Sequence, residues 1–167
     1  VAPLAPQVVT GGIEGGQVIV GVVGAVGRDV QVDAWLLQAL AAFQERAQTL
    51  SELTEKSRFL FVEDESIEMP DPTVKPFKKW LGEVGLQALA EVTVALEKLD
   101  DFEGAAIHDT LTRVAEEGFD GKLGKVAQPI RIAVTGTTAS PPIDDTLMLL
   151  GRERTLKRLK RAVAHYS

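Results

Sequence analysis

Residues 143–164 read Ile-Asp-Asp-Thr-Leu-Met-Leu-Leu-Gly-Arg-Glu-Arg-Thr-Leu-Lys-Arg-Leu-Lys-Arg-Ala-Val-Ala. The run is helical on both sides of Gly151, which interrupts it, so a helix over Ile143–Leu150 and a basic helix over about Arg152–Ala164 are predicted. In the second, Leu156, Leu159 and Val163 recur at spacings of three and four and mark a buried stripe. Arg154, Lys157, Arg158 and Arg161 then share a broad exposed flank. Positions 154 and 158, and 157 and 161, place like charges at i,i+4, each pair destabilising by a few tenths of a kcal/mol. A helix that tolerates such repulsion makes better sense beside a phosphate backbone.

The same period extends upstream. Asp33 is a good N-cap for a helix whose face carries Leu36, Leu40, Phe43 and Ala47. Thr49 with Glu52 forms a capping box, followed by Leu50, Leu53 and the cluster Phe59-Leu60-Phe61. An acidic, proline-containing connector (Glu63, Asp64, Glu65, Pro70, Asp71, Pro72) leads to Pro76 in the first turn of a short helix with Phe77, Trp80 and Leu81. Leu86, Leu89, Val92, Leu96 and Leu99 give a longer helix. Asp100 with Glu103 repeats the capping signature ahead of Phe102, Ile107, Leu111 and Val114, which run to a stop at Gly118. No strand alternation follows residue 30. The fold class predicted is all-α.

The N-terminal residues obey neither period. Residues 11–27 hold seven glycines among Val and Ile, a composition that reads as a loop with at most a short strand. Gly11 and Gly16 are spaced as in a phosphate-binding loop, but Gln17 and Val18 stand where a Lys and a hydroxyl residue are needed. That loses both the cation and the magnesium ligand. The apolar run Val18–Gly27 is too short to cross a bilayer, and no signal peptide is visible. A chain that starts at Val1 reads as an excised piece of something longer.

At 167 residues, 45% hydrophobic and 25% charged, the chain has an ordinary globular composition. It contains no cysteine, which excludes disulfides, thiol nucleophiles and Cys-based zinc sites. His108 and His165 are far apart in sequence, neither is assigned a role, and no metal site is expected. The net charge of −6 is unevenly spread: from Lys122 onward nine Lys and Arg face three Asp and Glu, a surplus of +6, against −12 before it. Local field rather than net charge steers a polyanion, so RNA is a candidate partner. A solvated basic face with no partner fits the charge equally well.

Three blocks carry a resemblance: Gly124-Lys-Val-Ala-Gln-Pro-Ile-Arg-Ile-Ala-Val-Thr-Gly136, Ser140-Pro141, and Leu149-Leu-Gly-Arg-Glu-Arg-Thr-Leu-Lys-Arg-Leu-Lys-Arg-Ala162. With Glu45-Arg-Ala-Gln-Thr-Leu-Ser-Glu-Leu53 and Phe59-Leu-Phe61, they resemble the C-terminal anticodon-binding region of bacterial glutamyl-tRNA synthetases, class I enzymes. The resemblance runs from about Asp33 to the end, some four-fifths of the chain. Residues 1–32 match poorly and are set apart as a Gly/Val-rich irregular segment.

The resemblance implies two helical lobes, 33–60 and 61–167, that read the anticodon loop of tRNA for glutamate. Arg46 matches an arginine facing the third anticodon base. Ser140, Pro141 and Ile143 match the loop and helix start that contact the middle base, and Gln128 and Arg131 match polar contacts from the helix behind it. Arg154, Lys157, Arg158 and Arg161 are then expected on the tRNA backbone. Trp35 and Trp80 read as core or lobe-interface aromatics.

Signatures of the His-Ile-Gly-His and Lys-Met-Ser-Lys-Ser types are absent from the sequence. This chain is therefore expected to have no catalytic residues and no cofactor of its own. The resemblance implies a catalytic domain in the same polypeptide that handles ATP and magnesium, and a cytoplasmic, monomeric protein with no membrane association. Two alternatives stay open: a helical protein-interaction module that binds no RNA, and a module of a paralogous synthetase that charges tRNA for glutamine with glutamate.

Overall fold

The computed structural model describes residues 34–44, 47 and 49–167. The chain divides into two compact units, Val1–Phe61 and Val62–Ser167. The described residues form α-helices and 3₁₀ turns and no strand, which is the all-α class expected. The Gly/Val-rich segment and the Asp33 cap lie outside the described residues.

In the first unit, α1 (Ala34–Gln44) packs on α2 (Leu50–Phe61). Leu36, Ala39 and Phe43 of α1 and Leu53, Phe59, Leu60 and Phe61 of α2 are buried. Phe43 lies 6.0 Å from Phe59, and Trp35 meets Phe61 edge-to-face at 5.9 Å. Thr49 Oγ1 accepts the Glu52 N–H at 3.2 Å, the first half of the capping box expected there.

The second unit holds five helices: α3 (Glu83–Glu97), α4 (Gly104–Gly118), α5 (Leu123–Thr135), α6 (Ile143–Leu150) and α7 (Arg152–Tyr166). Helix α3 touches α4, α5 and α7, and its Leu89, Val92 and Leu96 lie fully buried with Ile107, Leu111, Ile130, Ile132, Leu147 and Leu159 of the other helices. The capping box at Asp100 and Glu103 does not form. Glu103 itself is the N-cap of α4, in extended conformation and without a side-chain cap, so Asp100 stands three residues outside the helix it was expected to start.

Pro129 sits inside α5, where it removes one intrahelical N–H. Its ring is accommodated by Gly85 of α3. A Cβ added at Gly85 would fall 3.3 Å from Pro129 Cγ and 1.8 Å from the Trp80 carbonyl oxygen, so two backbone segments meet where a side chain would stand.

The connector from Val62 to Pro70 has little secondary structure, so its carbonyls need partners from elsewhere. Helix α7 supplies them. Arg154 and Arg158 donate to the Val62 carbonyl, Arg161 donates to the carbonyls of Asp64 and Ile67, and the Tyr166 hydroxyl donates to the Pro70 carbonyl at 2.9 Å. As the connector advances its partners advance along α7, so the two run side by side in the same direction. Burial pushes the Tyr166 hydroxyl up to about 12.

At the centre of this seam is Asp64. Its Oδ1 accepts Arg158 Nε at 2.7 Å and Arg154 Nε at 3.0 Å. Arg158 is fully buried, Asp64 nearly so. Arg158 also donates Nη1 to the Val134 carbonyl at 2.6 Å, one of the four α5 C-terminal carbonyls that lack an intrahelical partner. Burial alone would raise the Asp64 carboxyl, but the Arg158 hydrogen bond and the Arg154 and Arg158 charges outweigh it and hold the group below the usual carboxylate range.

Two pairs of outcomes are expected. Gly85→Ala should lose about 3 kcal/mol by forcing a Cβ into backbone, whereas Gly124→Ala, at a helical site with nothing within 4 Å, should gain about 0.5–1 kcal/mol; urea unfolding followed by circular dichroism measures both. Asp64→Asn should cost about 3 kcal/mol at pH 7, because it strands the buried Arg158 charge. Since the folded pKa of Asp64 is depressed, its contribution is fully present above the unfolded value of about 3.9 and is lost as pH falls through the folded value. The gap between wild type and Asp64→Asn should accordingly narrow in acid, and a gap that stays constant to pH 2 would contradict the assignment.

Candidate nucleic-acid interface

The turn between α5 and α6 is short and heavily cross-bonded. Gly136 closes α5 in the left-handed conformation (φ 76°) and its N–H bonds the Ile132 carbonyl at 2.8 Å. A Cβ there would lie 3.1 Å from the Glu68 carbonyl oxygen, so glycine is required on two counts. Thr135 Oγ1 donates to the Arg131 carbonyl at 2.8 Å and accepts the Thr137 N–H at 3.1 Å. Thr137 Oγ1 in turn donates to the Ala139 carbonyl at 2.9 Å.

The far side of the turn is pinned by a second network. Arg131 Nε donates to Ser140 Oγ at 2.8 Å, and Ser140 Oγ lies 3.0 Å from Thr146 Oγ1. Thr146 Oγ1 donates to the Pro141 carbonyl at 3.2 Å, and Arg131 Nη2 reaches the same carbonyl at 3.4 Å. Ser140 Oγ also lies within donating distance of the Pro141 carbonyl, at 2.9 Å, so with one proton per hydroxyl Ser140 and Thr146 share that carbonyl and either can donate to the other. A side chain on α5, one in the turn and one on α6 thus fix each other. Pro142 caps α6, its fixed φ suiting the approach to a helix.

Of the residues expected at this site, Arg131, Ser140 and Pro141 come together. Ile143 follows them but is buried at 5% exposure, so its side chain serves the core rather than a surface for a base. Gln128 lies three residues before Arg131 on α5, and its Oε1 is buried with no hydrogen-bond partner among the described residues. Arg46 lies outside the described residues. Thr146 is the member that sequence reasoning missed. A hydroxyl at a fully buried position between Ile143 and Leu147 was the available signal, because a buried hydroxyl requires a partner.

The four cations of the last helix require a correction. They were expected on an exposed flank, available to phosphate. Arg158 is instead fully buried against Asp64, and Arg154 and Arg161 are half-buried and spend donors on Asp64 and on connector carbonyls. Only Lys157 is well exposed, and it pairs with Glu65 at 2.7 Å, which pushes the lysine up and the glutamate down. The buried stripe of α7 is Thr155, Arg158, Leu159 and Ala162, one residue out of phase with the Leu156, Leu159, Val163 stripe predicted. The physical reason is the connector: its orphan carbonyls and the Asp64 carboxylate draw arginine inward.

The other basic residues of the last third are engaged as well. Lys122 and Lys125 pair with Asp120, Lys160 pairs with Glu97, and Arg152 donates to the Glu97 carbonyl. His108 Nδ1 stands 3.5 Å from Asp144, and His165 packs edge-to-face on Tyr166. Among the described residues no cluster of His, Asp and Glu could hold a metal ion, and no helix is long and apolar enough to cross a membrane.

Comparison with known proteins agrees with this architecture. Residues 10–163 match the family model described as anticodon binding domain. Glutamate–tRNA ligase 1 of Acidithiobacillus ferrooxidans is 45% identical over 125 residues, covering 75% of this chain and 26% of that protein. Glutamate–tRNA ligase 2 of Coxiella burnetii is 38% identical over 137 residues, covering 82% of this chain and 28% of its own length. The crystal structure of a glutamate tRNA ligase from Elizabethkingia meningosepticum in complex with its amino acid superposes with a TM-score of 0.72 at 25% identity, over 87% of this chain and 28% of that one. The chain thus spans about a quarter of the length of these relatives. With all but its first nine and last four residues matched by the family model, the chain belongs to the anticodon-binding domain family.

Proposed function

We propose that this chain is the tRNA-reading part of a glutamate–tRNA ligase, recognising the anticodon loop of tRNA for glutamate during aminoacylation. The catalytic domain, with its ATP and magnesium, belongs to the same polypeptide, and the chain itself activates no amino acid. The observation that carries the reading is the Arg131–Ser140–Thr146–Pro141 network, in a chain whose relatives are named glutamate–tRNA ligases.

RNA sequence is read mainly in single-stranded loops, where bases are unstacked and their edges accessible. A reader must hold its polar groups still, because each group that orders on binding costs affinity. The network supports that requirement: Ser140 and Pro141 are held in place before any base arrives, by a guanidinium that carries a full positive charge. Gln128 adds a buried amide oxygen without a donor, so a small rotation that paired it on RNA binding would be favoured. Arg46 reads the third anticodon base in this proposal, cytosine in tRNA for glutamate and guanine in tRNA for glutamine, through the fixed donors of a guanidinium.

Ser140→Ala removes the hydroxyl between Arg131 and Thr146 and should weaken binding of tRNA for glutamate on the order of tenfold. A tRNA with an altered middle anticodon base should bind the variant and the wild type alike. Arg46→Gln should keep most of the affinity while reducing the preference for tRNA for glutamate over tRNA for glutamine. Filter binding of both tRNAs at one salt concentration measures all of this. Equal affinity of the wild type for an unrelated tRNA would refute the proposal, and equal affinity for the glutamate and glutamine tRNAs would favour the paralogue that charges tRNA for glutamine.

A further inference from the structure

The cations of the last third are internally paired, yet one basic cluster is not. Residues 75–80 read Lys-Pro-Phe-Lys-Lys-Trp, and Lys75, Lys78 and Lys79 are all exposed. None of the three makes an ion pair among the described residues. The acid nearest in sequence on one side, Asp71, is turned onto its own turn, where it accepts the Thr73 N–H at 2.8 Å and the Thr73 hydroxyl at 2.6 Å. On the other side Glu83 opens α3, at the positive end of a helix that favours it there.

The cluster sits on a fixed base. Lys78 N–H bonds the Val74 carbonyl at 2.9 Å, and the N–H groups of Trp80 and Leu81 bond the Phe77 carbonyl at 2.8 and 2.9 Å. Leu81 is buried at 3% exposure. The Lys79 ammonium lies 4.2 Å from the centroid of the Trp80 ring, a cation–π contact that holds the charge at the surface without neutralising it. Three like charges within five residues repel one another. Apart from the cation–π contact, no carboxylate among the described residues offsets the repulsion, whereas the arginines and lysines of α7 have carboxylates or carbonyls to meet.

We infer that Lys75, Lys78 and Lys79 form a second contact with tRNA, on the phosphate backbone, separate from the base-reading turn around Ser140. Lysine suits this role because a compact point charge neutralises phosphate without demanding a fixed orientation. A phosphate meeting this cluster competes with no carboxylate, whereas one meeting Lys157 or Lys160 must first compete with Glu65 or Glu97. The inference rests on the tRNA-binding reading above and adds to it where the electrostatic part of the affinity resides.

The test compares wild type with Lys75→Gln/Lys78→Gln/Lys79→Gln, binding tRNA for glutamate across 50 to 200 mM salt. The slope of log affinity against log salt should fall by about 2, with about a tenfold or greater loss of affinity at 50 mM. The ratio of affinities between cognate and anticodon-altered tRNA should stay as in wild type, since phosphate contacts carry no sequence information. Lys98→Gln, an exposed lysine of the same unit without an ion pair among the described residues, serves as the control and should leave the slope nearly unchanged. An unchanged slope in the triple variant overturns the inference while leaving the anticodon reading intact. So does a loss in Lys98→Gln equal to the loss per lysine in the triple variant, which would mean a diffuse field. A wild type that binds no tRNA at 50 mM salt overturns both.

Discussion

A single carboxylate, Asp64, organises the second unit. It accepts from Arg154 and Arg158, and Arg158 reaches on to the carbonyls of Val62 and Val134. One guanidinium thus joins the last helix, the irregular connector and the C-terminal end of α5. A buried arginine is tolerable only because all of this is present at once: the ion pair offsets desolvation, and the carbonyls use the remaining donors. Remove any one partner and the others become a buried unpaired group. The position of α5, and with it the turn that carries Ser140 and Pro141, is fixed by that cooperative cluster rather than by apolar packing alone.

The repulsion between like charges along α7 therefore has an internal explanation. Arginines four residues apart were expected to face phosphate, since nothing in the helix itself accounts for them. They face backbone instead. A connector interrupted by Pro70 and Pro72 forms few hydrogen bonds of its own, and long forked side chains from a neighbouring helix complete them. Arg154, Arg158 and Arg161 are thus spent on the protein's own carboxylate and carbonyls, while Lys122, Lys157 and Lys160 meet acids at the surface, and composition by segment overstated what remains for a partner.

Helix existence was legible from sequence because the 3.6-residue period depends only on which residues are apolar: Leu89, Val92 and Leu96, or Ile107 and Leu111, are in the core as their spacing requires. The phase of α7 was not. Leu156 and Val163 outrank Thr155 and Arg158 in hydrophobicity, yet the latter pair is buried, because the surface facing α7 is polar and needs donors. The Asp100–Glu103 capping signature failed for a related reason. Local pattern states which residues can cap, and the point at which packing begins decides which one does. Arg131, Ser140 and Pro141, singled out by family resemblance, lie together in the structure, and Thr146 escaped notice because its partner, Ser140, lies across a turn that sequence does not close.

The seam between the connector and α7 joins residues 90 to 97 positions apart in sequence. Contacts of such span close late, since the entropy of bringing distant segments together precedes any gain from joining them. On a ribosome the connector emerges before α3 to α6, and its carbonyls have no arginines to meet until α7 follows. The second unit is thus built in the reverse of its reading order: its first segment is the last to be secured. Helices α3 to α6 must stay associated through local contacts while the chain waits for α7. The arrival of α7, rather than the appearance of any earlier helix, is the event that completes the fold.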